Sequence, residues 1–135
     1  MYAKRLEEAE PFECAGIQFG MVLPRDITGS VEVVWERLEP TTCTPVDQHR
    51  SFDQLFFILK GTGEVTVGTE IQAVEASTVV FIPQATKHSV QCTSDEGLEY
   101  LYFNVWRNGV PENEKNWKTI YSVIHDRRIA NQFAK

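Results

Sequence analysis

From Ile17 to Trp106 the chain is cut into short apolar or alternating runs, most of them closed by Pro or Gly. Ile17 to Leu23 stops at Pro24, Ser77 to Ile82 stops at Pro83, and Gly68-Thr69 separates Glu64–Val67 from Ile71–Val74. About eight such strands, with a turn signal about every 8–12 residues, predict an antiparallel sandwich or small barrel. Strands do not alternate with helices, so nothing favours a parallel sheet. The fold expected is all-β.

Inside those runs, side-chain parity sorts the residues by face. In Ser30 to Leu38, Val33, Trp35 and Arg37 share one face, and Glu32, Val34, Glu36 and Leu38 share the other. Ser77 to Ile82 reads as a buried strand and Gly61-Thr62-Gly63 as a hairpin turn. In Leu98 to Trp106, either Tyr100, Tyr102, Asn104 and Trp106 or Leu101, Phe103 and Val105 face inward, and parity leaves both open. Residues 1–14 read as an arm or edge segment, and Arg25 to Gly29 as a loop. After Gly109-Val110-Pro111, the residues Trp117, Ile120, Tyr121 and Ile124 recur at helical spacing, which predicts an amphipathic helix over about Asn113 to Gln132. One domain over 1–135 follows, with the barrel over about 15–108 and the helix over about 113–132.

Composition narrows the function classes. A net charge of −6 over 135 residues gives no basic face for nucleic acid. Asp126-Arg127-Arg128 reads as a solvated helix end. The longest unbroken apolar run, Leu55 to Leu59, is far too short to span a bilayer, so no membrane partner is expected. Cys14, Cys43 and Cys92 are odd in number and lack CxxC spacing, which suggests neither a disulfide framework nor a cysteine zinc site. The N-terminus lacks an apolar signal region, and a cytoplasmic location is expected.

Chemistry concentrates between Thr44 and Gly63. Asp47 and His49 lie two residues apart, so in an extended segment both point to one side. A turn over Arg50 to Asp53 would bring Gln54 to face the same point, one hairpin then delivering three groups able to bind a metal. The loop after Pro83 delivers His88. No Gly-rich phosphate loop, nucleophile elbow, HExxH or EF-hand pattern is present. His125 lies on the predicted helix without a ligand-type partner in register and is left outside the site.

These residues resemble the motifs of single-domain cupins, small β-barrels of the jelly-roll type, over about residues 30–106. The first motif, His-x-His, three or four residues, Glu, six residues, Gly, appears here as Asp47-Gln48-His49, then Gln54, then Gly61. The second, Pro-x-Gly, two residues, His, three residues, Asn, appears as Pro83-Gln84-Ala85, His88 and Cys92. Asp47, Gln54, Ala85 and Cys92 depart from the family's His, Glu, Gly and Asn, whereas His49 and His88 match. The resemblance implies one divalent transition metal (Fe, Mn, Ni or Zn) held by Asp47, His49, Gln54 and His88. A substrate wall of Phe56, Ile58, Val90 and Tyr102 is expected, with Cys92 a small buried apolar residue.

The Gln-containing set resembles the small cupin of pectin breakdown, which opens the ring of unsaturated uronates. It implies isomerase, lyase or ring-opening chemistry on a sugar or keto-acid derivative. Two imidazoles and one carboxylate also suit an Fe-dependent dioxygenase. The alternative from another class is a barrel that binds a small molecule without catalysis, Asp47 then pairing with a protonated His and Gln54 hydrogen-bonding both. A homodimer is expected, because Leu98 to Trp106 carries more aromatic surface than one core needs and edge strands require cover.

Overall fold

The computed structural model describes residues 1–133. Nine strands run in chain order: β1 Glu10–Cys14, β2 Ile17–Leu23, β3 Val31–Leu38, β4 Asp53–Lys60, β5 Gly63–Val67, β6 Glu70–Val74, β7 Val79–Ile82, β8 His88–Cys92 and β9 Leu98–Val105. They form two sheets, a six-stranded one in the order β1-β2-β3-β9-β4-β7 and a three-stranded one in the order β6-β5-β8. All pairings are antiparallel. This is a jelly-roll arrangement whose two sheets do not close into a single ladder.

Arg25–Gly29, expected to be a loop, contains one helical turn, α1 Arg25–Thr28, closed by Gly29 in the left-handed region (φ 77°). The C-terminal helix α2 spans Trp117–Phe133, a few residues later in its start than its spacing suggested. A short 3₁₀ turn at Glu112–Glu114 precedes it, and the Thr119 amide donates to Asn116 Oδ1 at the helix entrance. Trp117 and Tyr121 pack on Phe12 of β1, with ring centroids 5.4 and 4.8 Å apart, and Phe12 stacks on Phe19 of β2. The apolar stripe of α2 therefore packs on the six-stranded sheet, with Trp117 buried and Tyr121 and Ile124 partly buried, where the hydrophobic effect favours it.

The core lies between the sheets and settles the parity left open above. Tyr100, Tyr102, Asn104 and Trp106 face inward and are buried. So are Glu32, Val34, Glu36 and Leu38 of β3. The expectation for Ser77–Ile82 is corrected. β7 is an edge strand, and Val79 and Phe81 on its outer side are 62% and 52% exposed. Gly61-Thr62-Gly63 is likewise no hairpin, because β4 belongs to one sheet and β5 to the other. The chain turns a corner between sheets there. A Cβ at Gly61 (φ 85°) would stand 2.0 Å from the Gly97 carbonyl oxygen, so only glycine fits.

Candidate functional site

Residues 42–47 run beside β8. The amide of Asp47 donates to the His88 carbonyl and that of His88 to the Asp47 carbonyl, both at 2.9 Å, while Thr44 N–H donates to the Val90 carbonyl at 2.8 Å. Asp47 and His88 thus form a hydrogen-bonded antiparallel pair, whose side chains share one side of the sheet. The hairpin expected over Asp47 to Gln54 is not what forms. Asp47 joins the three-stranded sheet, the chain crosses over at residues 50–52, and Gln54 is the second residue of β4 in the other sheet. The Ala85 amide donates to the His49 carbonyl at 2.6 Å and ties the two motifs together. Ala85 has φ 61°, a left-handed conformation that accounts for the glycine of the common motif.

One ligand atom each from Asp47, His49 and His88 lies within 4.8 Å of the others. They face a cavity of 460 Å³ between the sheets, which helix α2 borders through Tyr121, Ile124 and Arg128. Phe56, Val90, Tyr102 and Gln54 line the same cavity. Ile58 does not: it is wholly buried in the core, so parity chose its sheet face but not its depth. Cys92 is buried in the core as well. His125 sits elsewhere, its Nδ1 accepting the Ala15 amide at 2.9 Å.

The donor set suits a divalent cation. His88 Nδ1 lies 3.0 Å from the Thr86 carbonyl, which can only accept, so this contact puts the proton on Nδ1 and leaves Nε2 as a ligand. Burial, aided by the neighbouring His88, lowers the His49 pKa to about 4, so its imidazole is neutral across the physiological range. Phe52 stacks on His49 at 4.6 Å and packs against Trp106, fixing the ring from behind. Gln54 donates from Nε2 to Asn104 Oδ1 at 2.8 Å, and among the described residues nothing donates to its Oε1.

Three features of the wall were not read as site residues. Arg25 of α1 makes a two-point ion pair with Glu32, at 2.7 and 2.9 Å, under full burial. Asn104 and Tyr121 also donate to Glu32, so a continuous network runs Gln54–Asn104–Glu32–Arg25. Glu36 lines the cavity without an ion pair among the described residues, and burial raises its pKa to about 7 against the opposing effects of the Tyr100 hydroxyl and the Arg128 charge. Arg128, expected in a solvated helix end, donates from Nη2 to Asp47 Oδ2 at 2.9 Å, its side chain 16% exposed. Spacing held the signal: Arg128 follows Trp117, Tyr121 and Ile124 on the same helical stripe.

Among solved structures, the chain is similar to a predicted oxalate decarboxylase from Thermotoga maritima (TM-score 0.72, 18% identity, 78% of this chain and 99% of that one). It is also similar to an RmlC-like cupin from Shewanella frigidimarina (TM-score 0.67, 17% identity, 84% and 95%). A third is KdgF from Halomonas sp. (TM-score 0.64, 20% identity, 76% and 93%). No curated protein matches. The cupin domain family matches residues 34–104, which contain both histidine motifs and every strand from β4 to β8. The chain belongs to the cupin family.

Proposed function

We propose that this cupin binds one divalent transition metal (Fe, Mn, Ni or Zn) through Asp47, His49 and His88, with Gln54 Oε1 as a weaker fourth ligand. We infer that it acts on a small polar metabolite, such as a sugar or keto-acid derivative, by isomerase, lyase or ring-opening chemistry. The observation that carries this reading is the convergence of the three donor atoms within 4.8 Å on the wall of one cavity. A bound divalent ion supplies a Lewis acid able to polarise a substrate oxygen.

The chain's own residues account for the rest. Phe56, Val90 and Tyr102 offer an apolar wall for a ring or carbon backbone. Glu36 keeps its proton near neutrality and can donate it to an oxygen of the substrate. Elemental analysis of protein purified without chelator tests the metal. Stoichiometric metal is expected, lost in His49→Ala and His88→Ala and weakened least in Gln54→Ala. Metal-free protein overturns the reading and leaves a non-catalytic small-molecule binder, which the Arg128–Asp47 pair favours because it satisfies Asp47 without a metal ion.

We also propose a homodimer. The outer face of the six-stranded sheet carries two apolar rows, Phe81–Leu55–Phe103–Val33 and Val79–Phe57–Leu101–Trp35, in register across β7, β4, β9 and β3. A second copy laid on this face would cover them and shield the β7 edge. Light scattering is expected to give twice the chain mass of 15.4 kDa; the mass of one chain at micromolar concentration overturns it. The free state of all three cysteines supports a reducing, cytoplasmic setting. Among the described residues no helix is long and apolar enough to cross a membrane.

A further inference from the structure

Arg128 reaches from helix α2 into the cavity and spends its charge on Asp47, a residue that the proposed metal site needs. Both uses of the Asp47 carboxylate are cationic, and a metal ion that draws on its charge weakens the pair with Arg128. A divalent ion at Asp47, His49 and His88 would add two positive charges beside a guanidinium, with one carboxylate to answer all three. The neighbouring acids do not make up the difference. Glu32 is already engaged in two points by Arg25, and Glu36 makes no ion pair with Arg128 among the described residues. Cys14, whose sulfur lies 3.9 Å from Arg128 Nη1, is a buried thiol with its pKa raised by burial. A guanidinium only 16% exposed and stripped of its partner requires another anion. The cavity that it borders has 460 Å³ to receive one.

We propose that Arg128 is the anchor for a carboxylate group of the small molecule bound in the cavity, and that occupation of Asp47 by the metal releases the guanidinium for this task. The inference rests on the metal reading above and names its substrate class: a small carboxylate rather than a neutral sugar. Arg128 now gives Asp47 a single hydrogen bond from Nη2, and its planar guanidinium can present two N–H donors to an incoming carboxylate. Metal and carboxylate therefore bind with positive coupling, and each raises the affinity of the other by the same factor.

Calorimetry tests this with acetate, lactate and benzoate as probes, each beside its uncharged amide, and with Mn²⁺ or Zn²⁺ titrated alone first. In wild type, the carboxylates are expected to bind the metal-loaded protein about tenfold or more tightly than the metal-free protein, and the amides to show no such gain. Arg128→Gln is expected to bind metal at least as tightly as wild type and to lose the preference for carboxylate over amide. A loaded Arg128→Gln protein that binds carboxylates as tightly as wild type overturns the inference, since the probe then sits on the metal alone. Asp47→Asn separates this failure from that of the metal reading, because it releases Arg128 without any metal. With chelator present, Asp47→Asn is expected to gain carboxylate binding, and Asp47→Asn/Arg128→Gln to lose it. If the metal titration is flat but Asp47→Asn binds carboxylates, the metal reading fails and the anchor stands. If Asp47→Asn binds none, the anchor fails.

Discussion

Glu32 and Glu36 sit four residues apart on the same inward face of β3, both buried, and the protein treats them in opposite ways. Around Glu32 every group is committed: two guanidinium nitrogens, the Asn104 amide and the Tyr121 hydroxyl converge on one carboxylate. The third side of Arg25 is held by the Glu114 carbonyl, and its face lies over the Trp106 ring at 4.8 Å. Around Glu36 there is a tyrosine and open cavity, with the nearby Arg128 turned to Asp47. One half of the wall is finished scaffold, and the other keeps its titratable groups incompletely matched. A buried charge without a partner is unfavourable, and sites that must bind or exchange protons are where folds tolerate it.

The contrast is broken most severely from the finished half. Arg25→Ala leaves Glu32 buried without its cation and is expected to cost about 3–5 kcal/mol of stability in urea unfolding. A loss below about 1 kcal/mol would mean that the pair behaves like an exposed one. The unfinished half is expected to respond to pH instead. Unfolded Glu36 gives up its proton near 4.5 and the folded residue near 7, so between these values the native state binds the extra proton. Stability from this group is therefore lost as pH rises through that window and levels off above it, by about 3 kcal/mol in all. Glu36→Gln should remove that slope, seen as the difference between variant and wild type across the window. Equal slopes would show that Glu36 ionises as freely as an exposed carboxylate.

The smallest effect concerns the loop that delivers His88. Ala85 holds φ 61°, where a Cβ is strained, beside its 2.6 Å hydrogen bond to His49. Ala85→Gly is expected to stabilise by about 0.5–1 kcal/mol, the relieved strain exceeding the entropy that glycine adds to the unfolded chain. A melting temperature at or below that of wild type would place the strain elsewhere.

Local pattern went far with the strands and less far with their neighbours. Ile17–Leu23 was bounded by Pro24 and by its own apolar run, and both ends match β2. The motif spacing singled out Asp47, His49 and His88, which do converge. What spacing does not encode is the partner strand. Asp47 pairs with His88, some forty residues on, and no short-range rule distinguishes that from a hairpin. Val79 and Phe81 are as apolar as any core residue, and whether anything covers them is a property of the assembled sheet. Arg128 was misread because its charge was weighed and its place on the buried stripe of α2 was not.

The strand order also bears on how the chain is made. β9 is an inner strand of the larger sheet, pairing along its length with both β3 and β4, yet it is the last of the nine described strands to be synthesised. Until residue 105 is available, β3 and β4 each keep an open edge, and Leu55, Phe57, Val33 and Trp35 lack their cross-strand neighbours on β9. A nascent chain ending at about residue 97 can form the three-stranded sheet that carries Asp47 and His88, but not the larger sheet that faces it across the cavity. Non-local pairing of this kind is slow and leaves apolar edges exposed while it waits. The polypeptide should therefore commit to its fold only after nearly the whole barrel has left the ribosome, in one late step that completes the larger sheet and the candidate site together.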